Sequence, residues 1–191
     1  MTETWKHTAG QRIKDHHGDP ADGGATEQGR EVLLNAERSV VGSMMFGADA
    51  IEAARAILTA TDFYLVAHQR MFSSILALRD RGEPADILTV SEALRGRGEL
   101  DLVGGPAALA AIFDNYGFTT ANVKAHARIV LEAAHKRRLR RLGLAMQQWT
   151  ADPTLSAADV LARVQDALAR VAARLADPGA PGAAKEAGRG R

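Results

Sequence analysis

Leu161, Val164, Leu168, Val171 and Leu175 recur at alternating spacings of three and four residues, and Leu139, Leu142, Met146 and Trp149 do the same one segment earlier. This repeat sets the apolar members along one seam of an α-helix, and such a seam must be covered by something. The connection through Asp152-Pro153 is short, so the two segments are predicted to return antiparallel as a helical hairpin. Ser156, with Asp159 three residues on, forms a capping-box arrangement that starts the second helix. A two-helix hairpin cannot bury so wide a stripe within itself. Self-association through Leu161, Val164, Leu168, Val171 and Leu175 is therefore expected, most simply as a dimer.

Upstream the punctuation is also helical. Asn35 is placed to cap a helix carrying Val40, Val41, Met44 and Met45, which Gly47 ends. Asp49 is placed to cap a second, with Ile51, Ala54, Ile57 and Leu58 on one face. A third starts at Thr61 or Asp62, turns Phe72, Ile75, Leu76 and Leu78 inward and stops at Gly82. Ile87, Val90 and Leu94 mark a fourth, closed by Gly96 and Gly98, and Gly104-Gly105-Pro106 opens a fifth. The first hairpin helix runs from about Thr120 to Thr150. Aromatic residues make up 5% of the chain and the hydrophobes are mostly Ala, Leu and Val, a balance that favours helix over strand. The predicted fold is all-α: a small helical globule over residues 35–118, then an antiparallel helical hairpin over 119–175. Residues 1–34 and the Gly/Pro/Ala-rich residues 176–191 read as disordered tails, too poor in apolar periodicity to offset the entropy of ordering.

Composition excludes several functions. The 191 residues contain no cysteine, which removes disulfides, thiol nucleophiles and thiolate zinc sites. Formal net charge is +1, so attraction to a polyanion would have to come from local clustering. The N-terminus has no apolar leader and no stretch approaches the ~20 apolar residues of a membrane helix, so a cytoplasmic protein without membrane contact is expected. His16-His17 beside Asp15 and Asp19 offer metal-binding side chains, but no second cluster completes a set. His68, His126 and His135 are each alone on helices, none at the i, i+4 spacing of a helical metal pair, and His68 is expected to be a packed, hydrogen-bonded histidine. Ser39, Ser43, Ser73 and Ser74 lack a nucleophile-elbow context, and Asp62 and Glu83 fit capping and loop roles. No catalytic residue, metal or cofactor is expected.

Lys136-Arg137-Arg138-Leu139-Arg140-Arg141 is the strongest charge cluster. Helical geometry places Lys136, Arg137, Arg140 and Arg141 on one broad side, opposite Leu139, Leu142 and Met146. That side is a candidate strip for phosphates or an acidic partner; the plainer reading is a solvated outer face. No aromatic residues interleave with it, so stacking on bases is not indicated.

Ala36-Glu37-Arg38-Ser39-Val40-Val41-Gly42-Ser43-Met44, Asp62-Phe63-Tyr64, Ala67-His68, Arg81-Gly82-Glu83-Pro84, Val103-Gly104-Gly105 and Ala127-Arg128-Ile129-Val130 follow one another in an order that carries more information than any one of them. In that order and spacing the chain resembles the N-terminal domain of the DnaB-type replicative DNA helicases over roughly residues 35–175. The resemblance implies a helical globule and hairpin that pair through their hairpins, form a collar on a six-subunit ring and contact primase or loader proteins. In that family a RecA-type ATPase domain follows. Val32-Leu33-Leu34-Asn35 departs from the proline and Asn-x-Glu that the family often carries before its first helix. No Gly-Lys-Ser or Gly-Lys-Thr occurs in the chain, so hydrolysis of ATP by this polypeptide alone is not expected.

The reading that follows is a non-catalytic collar and partner-binding domain acting in DNA replication. It is a homo-oligomer that engages a replicative helicase, primase or loader protein and meets DNA weakly or indirectly. The alternatives are a free-standing regulator of helicase assembly and a small basic-helix DNA-binding protein.

Overall fold

A computed structural model describes residues 26–113 and 120–176. His16 and His17, weighed above as metal-binding side chains, and the C-terminal tail beyond Ala176 lie outside the described residues. Among those described, seven α-helices and three short 3₁₀ turns occur, without strands. They are α1 Glu27–Met44, α2 Ala48–Arg55, α3 Val66–Asp80, α4 Ile87–Gly96, α5 Gly105–Phe113, α6 Val123–Ala151 and α7 Ala157–Ala176.

The first helix starts earlier than the sequence pattern placed it. Thr26 adopts extended backbone and its hydroxyl accepts a hydrogen bond from the Gly29 amide at 3.1 Å, so Thr26, not Asn35, is the cap. Residues 27–34, read above as tail, form the first two turns of α1, with Leu33 packed against the core. Asn35 instead accepts from Arg38 within the helix at 3.1 Å. The second helix is preceded by Gly47 rather than capped by Asp49. Thr61 and Asp62 belong to a 3₁₀ turn, Ala60–Asp62, and α3 begins only at Val66.

Helix ends follow backbone chemistry. After α3 the Gly82 amide donates to Arg79 and the Glu83 amide to Leu78; after α4 the Gly98 amide donates to Arg95 and the Glu99 amide to Leu94. Both are Schellman closures, and both glycines hold the positive φ, 73° and 68°, that side-chain-bearing residues resist.

The centre of the globule is α1, which packs on α2, α3, α5 and α6. Val40, Val41 and Met44 meet Met71, Phe72, Ile75, Leu94, Leu109, Val123, Ala127 and Val130 in one core. Phe63 and Phe72 stack at a tilt with centroids 5.0 Å apart. Met45 belongs to the same core, as its spacing predicted. At 29 residues, α6 is the longest helix and serves two purposes. Val123, Ala127, Val130 and Ala134 are buried in or against the globule, and beyond that the helix packs on α7.

Candidate interaction site on the hairpin and its base

The hairpin turn is closed by its own polar groups. The Thr154 amide and hydroxyl donate to Asp152 Oδ1 at 2.9 and 2.7 Å, a local turn that stops α6. These bonds hold the Asp152 carboxyl below its ordinary range, the Thr154 hydroxyl contributing most. Ser156 and Asp159 form the expected capping box: the Asp159 amide donates to Ser156 Oγ at 3.2 Å and the Ser156 amide to Asp159 Oδ2 at 3.0 Å. The Arg163 guanidinium lies 6.0 Å from the Trp149 ring centre, tying the two helices near the turn.

Each seam divides in two. On α7, Val171 is buried and Val164 half-buried, whereas Leu161, Leu168 and Leu175 are 57%, 50% and 52% exposed. On α6, Leu142 and Trp149 are half-buried while Leu139 and Met146 are exposed. One half of each repeat closes the hairpin and the other half faces outward. The three outward leucines stand seven residues apart, so they form one row along the helix.

At the base of the hairpin sits a charged cluster whose centre is Asp62. Its side chain is fully buried, in the 3₁₀ turn that separates α2 from α3. Oδ2 accepts from the Thr59 amide at 2.6 Å, from the Thr59 hydroxyl at 2.9 Å and from Arg174 Nη2 at 2.6 Å. Oδ1 accepts from Arg138 Nη2 at 2.5 Å, and the Asp62 carbonyl accepts from Arg137 Nη2 at 2.5 Å. Burial works to raise the Asp62 pKa, but the Thr59 amide and the Arg138 guanidinium outweigh it, and the carboxyl is held below its ordinary value. His135, buried one turn from these arginines, is held below the usual histidine value by burial first and by Arg138 second.

The expected basic strip is not a single surface. Lys136 is exposed and pairs with Glu132 at 3.1 Å, Arg140 is half-buried and Arg141 is exposed. Arg137 does not belong with them, because it continues the buried face of α6 after Val130 and Ala134 at helical spacing. Only 4% of it is exposed, and its guanidinium stands 5.7 Å from the Tyr64 ring centre.

The motif residues of the globule hold the fold together. Glu37, fully buried on α1, accepts from the amides of Tyr64 and Leu65 and from His68 Nδ1 at 2.7 Å. His68 is thus packed and hydrogen-bonded. His126 Nδ1 shares a hydrogen bond with Ser39 Oγ at 2.6 Å, joining α6 to α1. Ser73 donates to the Gln69 carbonyl and Ser74 accepts from Arg97, both structural bonds. Among the described residues no group of three or more acidic or histidine side chains is placed to hold a metal. Nor is any helix among them long and apolar enough to cross a membrane.

Comparison with known proteins agrees with this architecture. The sequence model described as DnaB-like helicase N terminal domain matches residues 30–132. The chain is 38% identical over 132 residues to the replicative DNA helicase DnaB of Treponema pallidum (strain Nichols), covering 69% of this chain and 30% of that protein. It is 41% identical over 116 residues to the DnaB of Mycobacterium leprae (strain TN), covering 61% of this chain and 19% of that protein. The chain therefore spans less than a third of the length of either relative. The crystal structure of the N-terminal domain of DnaB helicase from Mycobacterium tuberculosis superposes with a TM-score of 0.67 at 37% identity, covering 71% of this chain and 95% of that one. These likenesses establish that the chain, with its helical globule, belongs to the family of DnaB-like helicase N-terminal domains.

Proposed function

We propose that the chain is a non-catalytic collar module of a replicative helicase assembly, and that it acts by pairing through the hairpin and by binding protein partners of that assembly, primase or loader among them. The observation that carries this reading is the outward row Leu161, Leu168 and Leu175, each about half exposed on a helix whose inner seam, Val164 and Val171, already packs within the chain. Leucines in such a row gain by leaving water together, and a second copy offers the same row in matching register. ATP hydrolysis has no part in the proposal, since the chain carries no Gly-Lys-Ser or Gly-Lys-Thr for a phosphate-binding loop. Lys136, Arg140 and Arg141 serve as peripheral contacts to phosphate or to an acidic partner surface, with binding that weakens as salt rises.

Analytical ultracentrifugation of the whole chain, alone and mixed with the primase and loader of its source organism, tests the proposal. A dimer that forms a larger complex with one of them is expected. A monomer at high micromolar concentration that joins neither protein overturns it. Tight, salt-resistant binding to one DNA sequence would favour the DNA-binding alternative instead.

A further inference from the structure

No residue from 139 to 170 is buried. Over that stretch α6 and α7 pack on each other, so the hairpin is an arm projecting from the globule. The 13 residues of α6 beyond Arg138 make the arm about 20 Å long at 1.5 Å per residue. Its base is where burial resumes, with Arg137 on α6 and with Val171 and Arg174 on α7.

At that base, three arginines from both arm helices reach the same turn of the globule. Arg138 and Arg174 take opposite oxygens of the Asp62 carboxylate, at 2.5 and 2.6 Å, and Arg137 takes the carbonyl of the same residue. Arg174 also donates to the Thr59 hydroxyl at 3.2 Å. The partners stand 75 to 115 residues apart in sequence, so these bonds link distant units rather than close a local turn. Apolar contact is non-directional and tolerates sliding, whereas charge-assisted hydrogen bonds to fixed oxygens specify an angle.

We propose that Asp62 locks a hinge at the base of the hairpin, its carboxylate and carbonyl holding the arm at one angle to the globule and so fixing where the leucine row points. A lever explains why one buried carboxylate matters. Tilting a ~20 Å arm by about 10° moves its tip by ~3.5 Å, enough to misalign a row of side chains with its mate. The consequence for pairing rests on the self-association proposed above; the hinge itself does not.

The absence of cysteine makes the test direct, because two introduced cysteines carry spin labels without background. Asp49→Cys marks the exposed start of α2, and Ala162→Cys marks the arm on a side away from the leucine row. Pulsed dipolar spectroscopy, with labelled chain diluted into unlabelled chain, reads the distance within one molecule whether or not it pairs. The native chain should give one narrow distribution. Asp62→Asn should broaden it about twofold or add a second distance, with far-UV helicity retained. Should Asp62→Asn unfold the chain, Arg174→Met, which removes the α7 clamp and leaves Asp62 paired with Arg138, carries the same expectation. Unchanged narrow distances in a folded variant overturn the lock. So does loss of helicity in both variants, since these residues would then support the fold and not the angle. A locked arm on a chain that sediments as a monomer would refute only the pairing.

Discussion

Leu168→Asp separates folding from association. Leu168 lies mid-row and is 50% exposed in the single chain, so folding buries only half of it. Full burial of a leucine is worth about 1.5–3 kcal/mol, so about 1 kcal/mol remains to be gained when a partner covers the exposed half. Leu161 and Leu175 are exposed to a similar degree. Three leucines from each of two copies then contribute about 6 kcal/mol to pairing before the costs of association are met. The substitution removes about 2 kcal/mol of that across both copies, and enclosing two carboxylates costs about 1–3 kcal/mol each. The pairing constant should weaken by about 4–8 kcal/mol, a factor of about a thousand or more. The single chain, by contrast, should lose no more than about 1 kcal/mol. Sedimentation equilibrium measures the first quantity, and urea unfolding of dilute protein the second. A variant that pairs as tightly as the native chain, or that loses several kcal/mol as a monomer, would show that the row is not an interface.

Glu37→Ala should leave two backbone amides and His68 without their acceptor, and unfolding in urea should show a loss of about 3–5 kcal/mol; a loss below about 1 kcal/mol would mean that water replaces the carboxylate freely. Acid should weaken the fold in two steps. His135 titrates lower in the fold than in the unfolded chain, so the unfolded state takes the proton first, and stability declines as pH falls below about 6.5. Asp62 is also lowered, so its contribution is complete above the ordinary aspartate value of about 3.9 and is lost as pH falls through its still lower folded value. His135→Leu should abolish the first step in urea midpoints measured from about pH 8 to pH 5, and an unchanged slope there refutes the assignment. Asp86→Ala removes an exposed capping box with Thr89 and should cost about 1 kcal/mol, read as a lowered melting temperature, with helicity retained.

Much of this fold was legible because its signals are local. Seam spacing gave the hairpin, Ser156 and Asp159 gave its second start, and Gly82 and Gly98 gave two helix ends. The early start of α1 was missed because Thr26 follows a glycine-rich stretch, and Val32, Leu33 and Leu34 did not look periodic with Val40 and Val41. Asp62 shows a capping role in sequence, but the partners that matter most to it lie 75 to 112 residues away. A single sequence carries no signal of pairing across that distance. Arg137 was misplaced for a related reason. In a run of five basic residues out of six, charge argues for the surface, and only the buried face extending through Val130 and Ala134 shows that this arginine points inward.

The division of each seam also bears on how the arm is stable at all. Helices in proteins draw most of their stability from a covered apolar face, and here only the inner half of each seam is covered. From residue 139 to 170 nothing is buried, so order in the arm depends on half-buried Leu142, Trp149 and Val164, on the turn closed by Asp152 and on the clamp at Asp62. Covering the leucine row would add the burial that the arm lacks, so pairing and arm order would be linked free energies, each stabilising the other with the logarithm of protein concentration. The globule needs no such help, since Glu37, Phe63, Phe72 and the α1 core are already enclosed. Association is therefore expected to act on the arm and its base, and to leave the globule's own stability unchanged.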